Sequence, residues 1–142
     1  MERILALDVG DKRIGFAVSD PLGMIANGLE TYHRQTEEED IDYICAMAKK
    51  YTPVKLLFGM PRNMNGTYGP QAEKVKSLAQ NVQQQFEGEI LFEDERMTTI
   101  IAERVLIEGD VSRKKRRQVV DKVAAVVILQ GYLDAHSFSH SF

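Results

Sequence analysis

Residues 3–20 read Arg3-Ile4-Leu5-Ala6-Leu7-Asp8-Val9-Gly10-Asp11-Lys12-Arg13-Ile14-Gly15-Phe16-Ala17-Val18-Ser19-Asp20. Ile4 to Leu7 is a short apolar run of the buried-strand kind, Arg13 to Val18 is a second, and the polar, glycine-containing stretch between them is turn-like. The chain therefore opens with an antiparallel hairpin. Asp8 follows the first buried run directly, where an ionised carboxylate is costly unless a cation, a base or hydrogen-bond donors compensate it. An Asp that merely caps the hairpin turn would account for the same residue, so its meaning depends on what else is brought near it.

Asp20-Pro21-Leu22-Gly23 supplies a turn, and Met24 to Tyr32 reads as a third, returning strand. Thr36 with Glu39 is a capping-box pattern. Ile41, Ile44, Cys45, Ala48 and Tyr51 then recur at helical spacing, with Lys49 and Lys50 at the dipole-favoured end. Val54 to Phe58 reads as a buried strand. Gly59 to Pro70 is a loop punctuated by Gly and Pro, and it leads into a helix with Ala72, Val75, Leu78, Ala79, Val82 and Phe86 inward. Glu89 to Glu95 reads as another strand. Thr98 or Thr99 can cap a helix that runs to about Ile107 and is closed by Gly109. A final helix from about Gln118 to Leu133 is apolar on most sides, and fraying is expected from His136 to Phe142. A hairpin start followed by α/β alternation implies a mixed sheet flanked by α-helices: an N-terminal antiparallel meander, then parallel strands.

The chain has 142 residues, which suits one domain, 1–135, with a flexible tail over 136–142. Lys and Arg number 18 against 21 Asp and Glu, a net charge of −3, so an anionic partner must be met by a local patch. Cys45 is the only cysteine, which excludes an internal disulfide and a multi-cysteine zinc site; as an inward helix residue it reads as inert core. The longest apolar run, Val123 to Leu129, is far short of the roughly 20 residues that span a membrane, and the first residues do not form a secretory signal. A cytoplasmic setting and no membrane partner are expected. His136 and His140 lack a third ligand, and His33 lies in a connection, so none of the three is taken as a metal ligand.

Glu95 closes an apolar strand, and Asp121 has Ala124, Ala125 and Ile128 as same-face helical neighbours, so that small residues allow close approach to a sheet. Brought together with Asp8, the three carboxylates would repel and raise one another's pKa. Divalent metal resolves that conflict, and all-oxygen ligation suits Mg²⁺ or Mn²⁺; two such ions serve phosphodiester hydrolysis. The ordinary alternatives are an ion pair of Glu95 with Arg96 or Arg104 and a helix-starting role for Asp121. Glu93 and Asp94 rival Glu95; strand alternation puts Glu93 and Glu95 on one face and Asp94 on the other, and Glu95 is favoured. The loop with Arg62 enters a helix whose first N–H groups can hold a phosphate. Arg113, Lys114, Lys115, Arg116 and Arg117 form a basic run beside the Asp121 helix, and Lys12 and Arg13 follow Asp8; backbone contact with nucleic acid is their obvious use, although such runs are ordinarily solvated.

The whole pattern resembles the YqgF, or RuvX, family. Leu7 to Asp20 is similar to its opening signature, Gly59 to Gly66 to its Gly-x-Pro-Arg-Asn-Met-x-Gly segment, Asp94 to Thr99 to its Asp-Glu-Arg-x-Thr-Thr segment, and Asp121 to Gln130 to its closing Asp-x-x-Ala-Ala-x-x-Ile-Leu-Gln pattern. The resemblance runs from about Arg3 to Asp134. It implies an RNase H-like fold and a nuclease whose metal-binding, catalytic acids would be Asp8, Glu95 and Asp121. Its members are described as Holliday junction resolvases and as processors of the 5′ end of pre-16S ribosomal RNA. Asn65 departs from the pattern where many members carry Asp, so that position adds no charge to a metal here.

Three function classes follow. The first is a metal-dependent nuclease, with pre-rRNA as the leading substrate and branched DNA as its alternative; Lys12, Arg13, Arg62, Arg96 and the run from Arg113 to Arg117 would align the backbone. A junction resolvase cuts two symmetric strands and so calls for a homodimer. The second is an actin- or sugar-kinase-like nucleotide enzyme, which shares the Asp8-Val9-Gly10 loop but closes two such domains around ATP. The third is a non-catalytic RNA-binding ribosome-assembly factor, against which the intact acids speak.

Overall fold

The computed structural model describes residues 2–61, 67–94 and 113–140, with the side chains of 113–122 and 137–140 excepted. Among these residues six strands form one sheet: β1 (Arg3–Val9), β2 (Arg13–Ser19), β3 (Ala26–Gly28), β4 (Tyr32–His33), β5 (Val54–Met60) and β6 (Ile90–Asp94). The order is β3-β2-β1-β5-β6, with β4 also on β2. The β1–β2 and β2–β3 pairs are antiparallel and the β1–β5 and β5–β6 pairs parallel. This is the expected mixed sheet.

Among the described residues three helices cover it: α1 (Glu37–Lys50), α2 (Pro70–Gln83) and α3 (Arg113–His140). Side-chain alternation sorts the two faces. Leu5, Leu7, Val9, Ile14, Phe16, Val18, Leu56 and Phe58 join Ile41, Ile44, Val75, Leu78 and Val82 in a core under α1 and α2. Ala6, Ala17 and Leu57 meet Ala125, Ile128, Leu129 and Leu133 of α3 on the other face. The first face is built from large side chains and the second largely from small ones, so α3 can lie close against β1 and β2.

Its direction follows from two contacts. Ala125 packs in the Ala6 and Ala17 cluster. Five residues later, the Gln130 side chain accepts from Ala26 N at 2.9 Å and donates to Met24 O at 2.9 Å. Ala26 pairs with Ser19, whose Oγ accepts from Ile4 N at the start of β1. Helix α3 therefore runs from the C-terminal toward the N-terminal end of β1, and position 121, one turn before Ala125, lies toward the Asp8 end.

The structure corrects three boundaries. The returning strand expected over Met24–Tyr32 is two short strands. Between the Ala17–Gly28 and Ile14–Tyr32 pairs, β2 advances three residues and the partner chain four. The extra residue makes a bulge that splits the strand. The last helix begins at Arg113 rather than near Gln118, because Lys and Arg are good helix formers and nothing in the basic run breaks a helix. At its other end it continues past Leu133 to His140. There the His136 ring stacks on Tyr132 at 3.9 Å. The helix expected over 98–107 lies outside the described residues.

Candidate active site

Asp8 is the next-to-last residue of β1 and is 8% exposed. Ala6 faces α3, so alternation puts Asp8 on that face as well, beyond the end of the apolar cluster. Across the antiparallel pair its partner is Gly15. On the parallel side, Gly59 follows the Leu7–Phe58 pair and is itself paired with Glu93. The α3 face at this edge thus reads Gly15, Asp8, Gly59, Glu93 across four adjacent strands. The glycines leave the space on both sides of Asp8 without side chains. Local sequence gave no signal for this shelf, because it exists only in the cross-strand register.

The three acids around position 94 divide as alternation requires. Asp94 is on the α2 face, where Tyr68 OH donates to its Oδ1 at 2.9 Å. Glu93 is on the α3 face and interacts electrostatically with Tyr132 and His136. Burial raises the Glu93 carboxyl above its ordinary pKa, and the charge on Asp94 adds to this while His136 works against it. From Glu93 to Asp8 is two strand spacings, about 10 Å. Glu95, Arg96 and Arg62 lie outside the described residues. Asp121 and the run from Arg113 to Arg117 are placed as helical backbone in α3, with side chains outside the described residues. Among the described residues no three His, Cys, Asp or Glu side chains form a metal-sized group.

The loop that follows Asp8 is held from two sides. Gly10 N donates to Arg13 O at 2.8 Å to close it. A Cβ at Gly10 would come within 3.0 Å of that same carbonyl oxygen, so the turn is drawn tightly around a residue without one. From the β4–α1 connection, Arg34 Nη1 donates to Gly10 O at 2.9 Å and Arg34 N to Lys12 O at 2.9 Å. From α2, Gln71 Nε2 donates to Val9 O at 3.3 Å, and Lys74 pairs with Asp11 at 3.5 Å. Lys12 is exposed on this loop and Arg13 is half-buried at the start of β2.

Arg34 is itself anchored. Its Nε lies 2.9 Å from Oδ2 of Asp40, which is 1% exposed, and Oδ1 accepts from Tyr32 OH and Gln35 N at 2.9 Å each. Burial pushes the Asp40 carboxyl up, but the Gln35, Arg34 and Tyr32 hydrogen bonds outweigh it and leave the pKa below the ordinary value. Burial, together with the bond to Asp40, lifts the Tyr32 phenol to about 12. Sequence reading missed Asp40, because an acid in the first turn of a helix already has an ordinary explanation in the helix dipole. Cys45 packs partly buried against the α1 core, with burial pushing its thiol pKa up, as an inert residue would. No helix among the described residues is long and apolar enough to cross a membrane.

A family model described as "RuvX: Holliday junction resolvase" matches residues 2–135. A Clostridium perfringens protein named "Putative pre-16S rRNA nuclease" is 50% identical over 132 residues, 93% of this chain and 96% of its own. One of the same name from Halothermothrix orenii is 50% identical over 138 residues, 97% of this chain and 99% of its own. Among solved structures, Thermus thermophilus RuvC in complex with a Holliday junction substrate superposes with a TM-score of 0.61 at 12% identity, covering 96% of both chains. The fowlpox virus resolvase with junction DNA gives 0.58 at 11% identity, covering 94% of this chain and 97% of that one. At such identities these two likenesses speak to the fold alone, which is RNase H-like. With a family model spanning nearly every residue and full-length relatives sharing half of them, the chain belongs to the RuvX family and is a nuclease, a hydrolase of nucleic acid.

Proposed function

We propose that this chain is a metal-dependent nuclease acting in 5′-end processing of pre-16S ribosomal RNA, with Asp8, Glu95 and Asp121 as its catalytic, metal-binding acids. The observation that carries the reading is Asp8: a nearly buried carboxylate at a strand end, flanked by Gly15 and Gly59 on the face that α3 covers. A glycine-lined shelf beside a strand-end carboxylate supplies room for a cation and a phosphate ester rather than for packing. Glu93 on the same face supports Glu95, two residues on, as the acid from β6. The antiparallel run of α3 supports Asp121 as the acid from the helix.

This oxygen-only donor set fits Mg²⁺ or Mn²⁺, held by Asp8, Glu95 and Asp121, and such ions lower the pKa of water and stabilise a leaving oxygen. The chain's own part is positional. The Arg34 and Gln71 contacts hold the Asp8 loop, and Lys12, Arg13, Arg62, Arg96 and the Arg113 to Arg117 run bind and orient the phosphate backbone. The names of half-identical relatives favour precursor rRNA as substrate, and cytoplasmic action accords with it. The family description favours a second reading, cleavage of a four-way DNA junction by a homodimer.

The test is cleavage of labelled precursor rRNA and of junction DNA by the purified chain with Mg²⁺ or Mn²⁺, alongside Asp8→Asn. The wild type is expected to cut the RNA only with the ion, and D8N to keep its melting temperature while losing at least about a hundredfold in rate. Undiminished cutting by D8N would refute the assignment of Asp8. Cutting of junction DNA alone would move the substrate to the second reading.

A further inference from the structure

A cavity of about 250 Å³ opens on the α2 face of the sheet, at the C-terminal end of the parallel strands, between β5, β6 and α2. Met60 and Phe92 line it from the strands, Ala72, Glu73 and Lys76 from α2, and Tyr68 from the segment before α2. Phe92 is 46% and Tyr68 52% exposed. Both rings are nevertheless held in place. Phe92 leans on the fully buried Phe58 with centroids 6.2 Å apart, and the Tyr68 hydroxyl donates to Asp94. Fixed, exposed aromatic faces beside a cavity lose little conformational entropy when a flat ring stacks on them.

We infer that this cavity receives an unpaired nucleobase of the strand being cut. The polar groups suit that occupant. Lys76 makes no ion pair among the described residues and lies one helical turn from Ala72, so its ammonium can meet a backbone phosphate while Glu73 accepts from an amino or imino group of the base. The position suits it too. Asp94, which holds Tyr68, is at the end of β6, two strand spacings or about 10 Å from β1, where Asp8 lies. A strand whose phosphate lies on the α3 face at Asp8 can pass over the ends of β5 and β6 and turn a neighbouring base onto Phe92. Only an unpaired nucleotide can do so, so the cavity selects single-stranded segments over duplex.

The inference deepens the nuclease reading and is tested by binding, so the two can fail separately. An RNA oligonucleotide carrying 2-aminopurine is titrated with the full chain without divalent ions, with a matched DNA oligonucleotide and an RNA duplex in parallel. Quenching of the 2-aminopurine is expected with both single strands and not with the duplex. Phe92→Leu keeps the apolar volume and removes the stacking face. It is expected to weaken single-strand binding roughly five- to a hundredfold, the range of one lost stacking contact, and to leave duplex binding within about twofold. Lys76→Gln is expected to lower the salt slope of single-strand binding by about 0.7. Tight single-strand binding without quenching, or wild-type affinity in F92L, would overturn the inference. Quenching and an F92L defect in a chain that cuts no nucleic acid would uphold the base site and reject the nuclease reading.

Discussion

Asp40 is the most deeply placed charged side chain among the described residues, and none of its contacts is with the face that carries Asp8. Its effect on the site passes through Arg34, whose guanidinium spans from the Asp40 carboxylate to the carbonyl of Gly10, two residues beyond Asp8. Removing one partner of such a pair leaves the other charge in poor solvent. Asp40→Asn is expected to cost about 3 kcal/mol, the lower end for a broken buried pair because Arg34 keeps some contact with water. Urea unfolding at neutral pH measures it. The pH dependence carries a sign. The folded-state pKa of Asp40 lies below its ordinary 3.8, so its contribution is complete above that value and is lost as the pH falls through the lower folded one. The stability gap between wild type and D40N should therefore narrow in acid below about pH 4. A gap that stays constant down to acid unfolding would mean that Asp40 is not stabilised as an anion.

At the scale of elements, the close approach of α3 to the sheet rests on alanine facing alanine. Ala6, Ala17, Ala124 and Ala125 are each fully buried, and a larger side chain at the contact must displace its neighbours. Ala125→Leu is expected to destabilise by about 1–3 kcal/mol through overpacking. It should also lift the helix that carries position 121 away from β1, so that cleavage falls further than the loss of folded protein explains. Denaturant titration and single-turnover cleavage on the same preparation separate the two effects, and a rate loss no larger than the unfolded fraction would detach α3 from the site. Much of this layer was legible beforehand. The Thr36 cap is observed, with its side chain accepting from Glu39 N, and the apolar spacings of α1 and α2 and the β5 run are where period and punctuation put them. The bulge after Gly28 was not legible, since it is defined by pairing with β2. Nor was the Gln130 clamp on β3, which joins residues more than a hundred positions apart. The Gly15 and Gly59 shelf was hidden for the same reason. Asp8 stood out because a carboxylate after a buried run breaks a local rule, whereas Asp40 obeyed one.

For the whole molecule the governing quantity is charge. Eighteen cationic and 21 anionic side chains leave a net −3, so long-range attraction does not bring a polyanion to this protein as a body. Binding must come from how the charges are distributed. The first turn of α1 gathers Glu37, Glu38, Glu39 and Asp40, while five consecutive cations open α3, the helix that also carries position 121. If the α3 run neutralises phosphates, each lost contact lowers the dependence of log K on log salt by about 0.7 on a single strand. Arg116→Gln with Arg117→Gln is then expected to flatten the slope by about 1.4 between about 50 and 200 mM salt. Glu37→Gln with Glu38→Gln changes the net charge by an equal amount in the opposite direction and should leave the slope as it was. Fluorescence anisotropy with a labelled RNA single strand reads both. Shifts of similar size and opposite sign in the two double variants would mean that net charge governs binding and would remove the α3 run from the binding surface. A shift confined to the arginine pair would place the phosphate backbone along the start of α3.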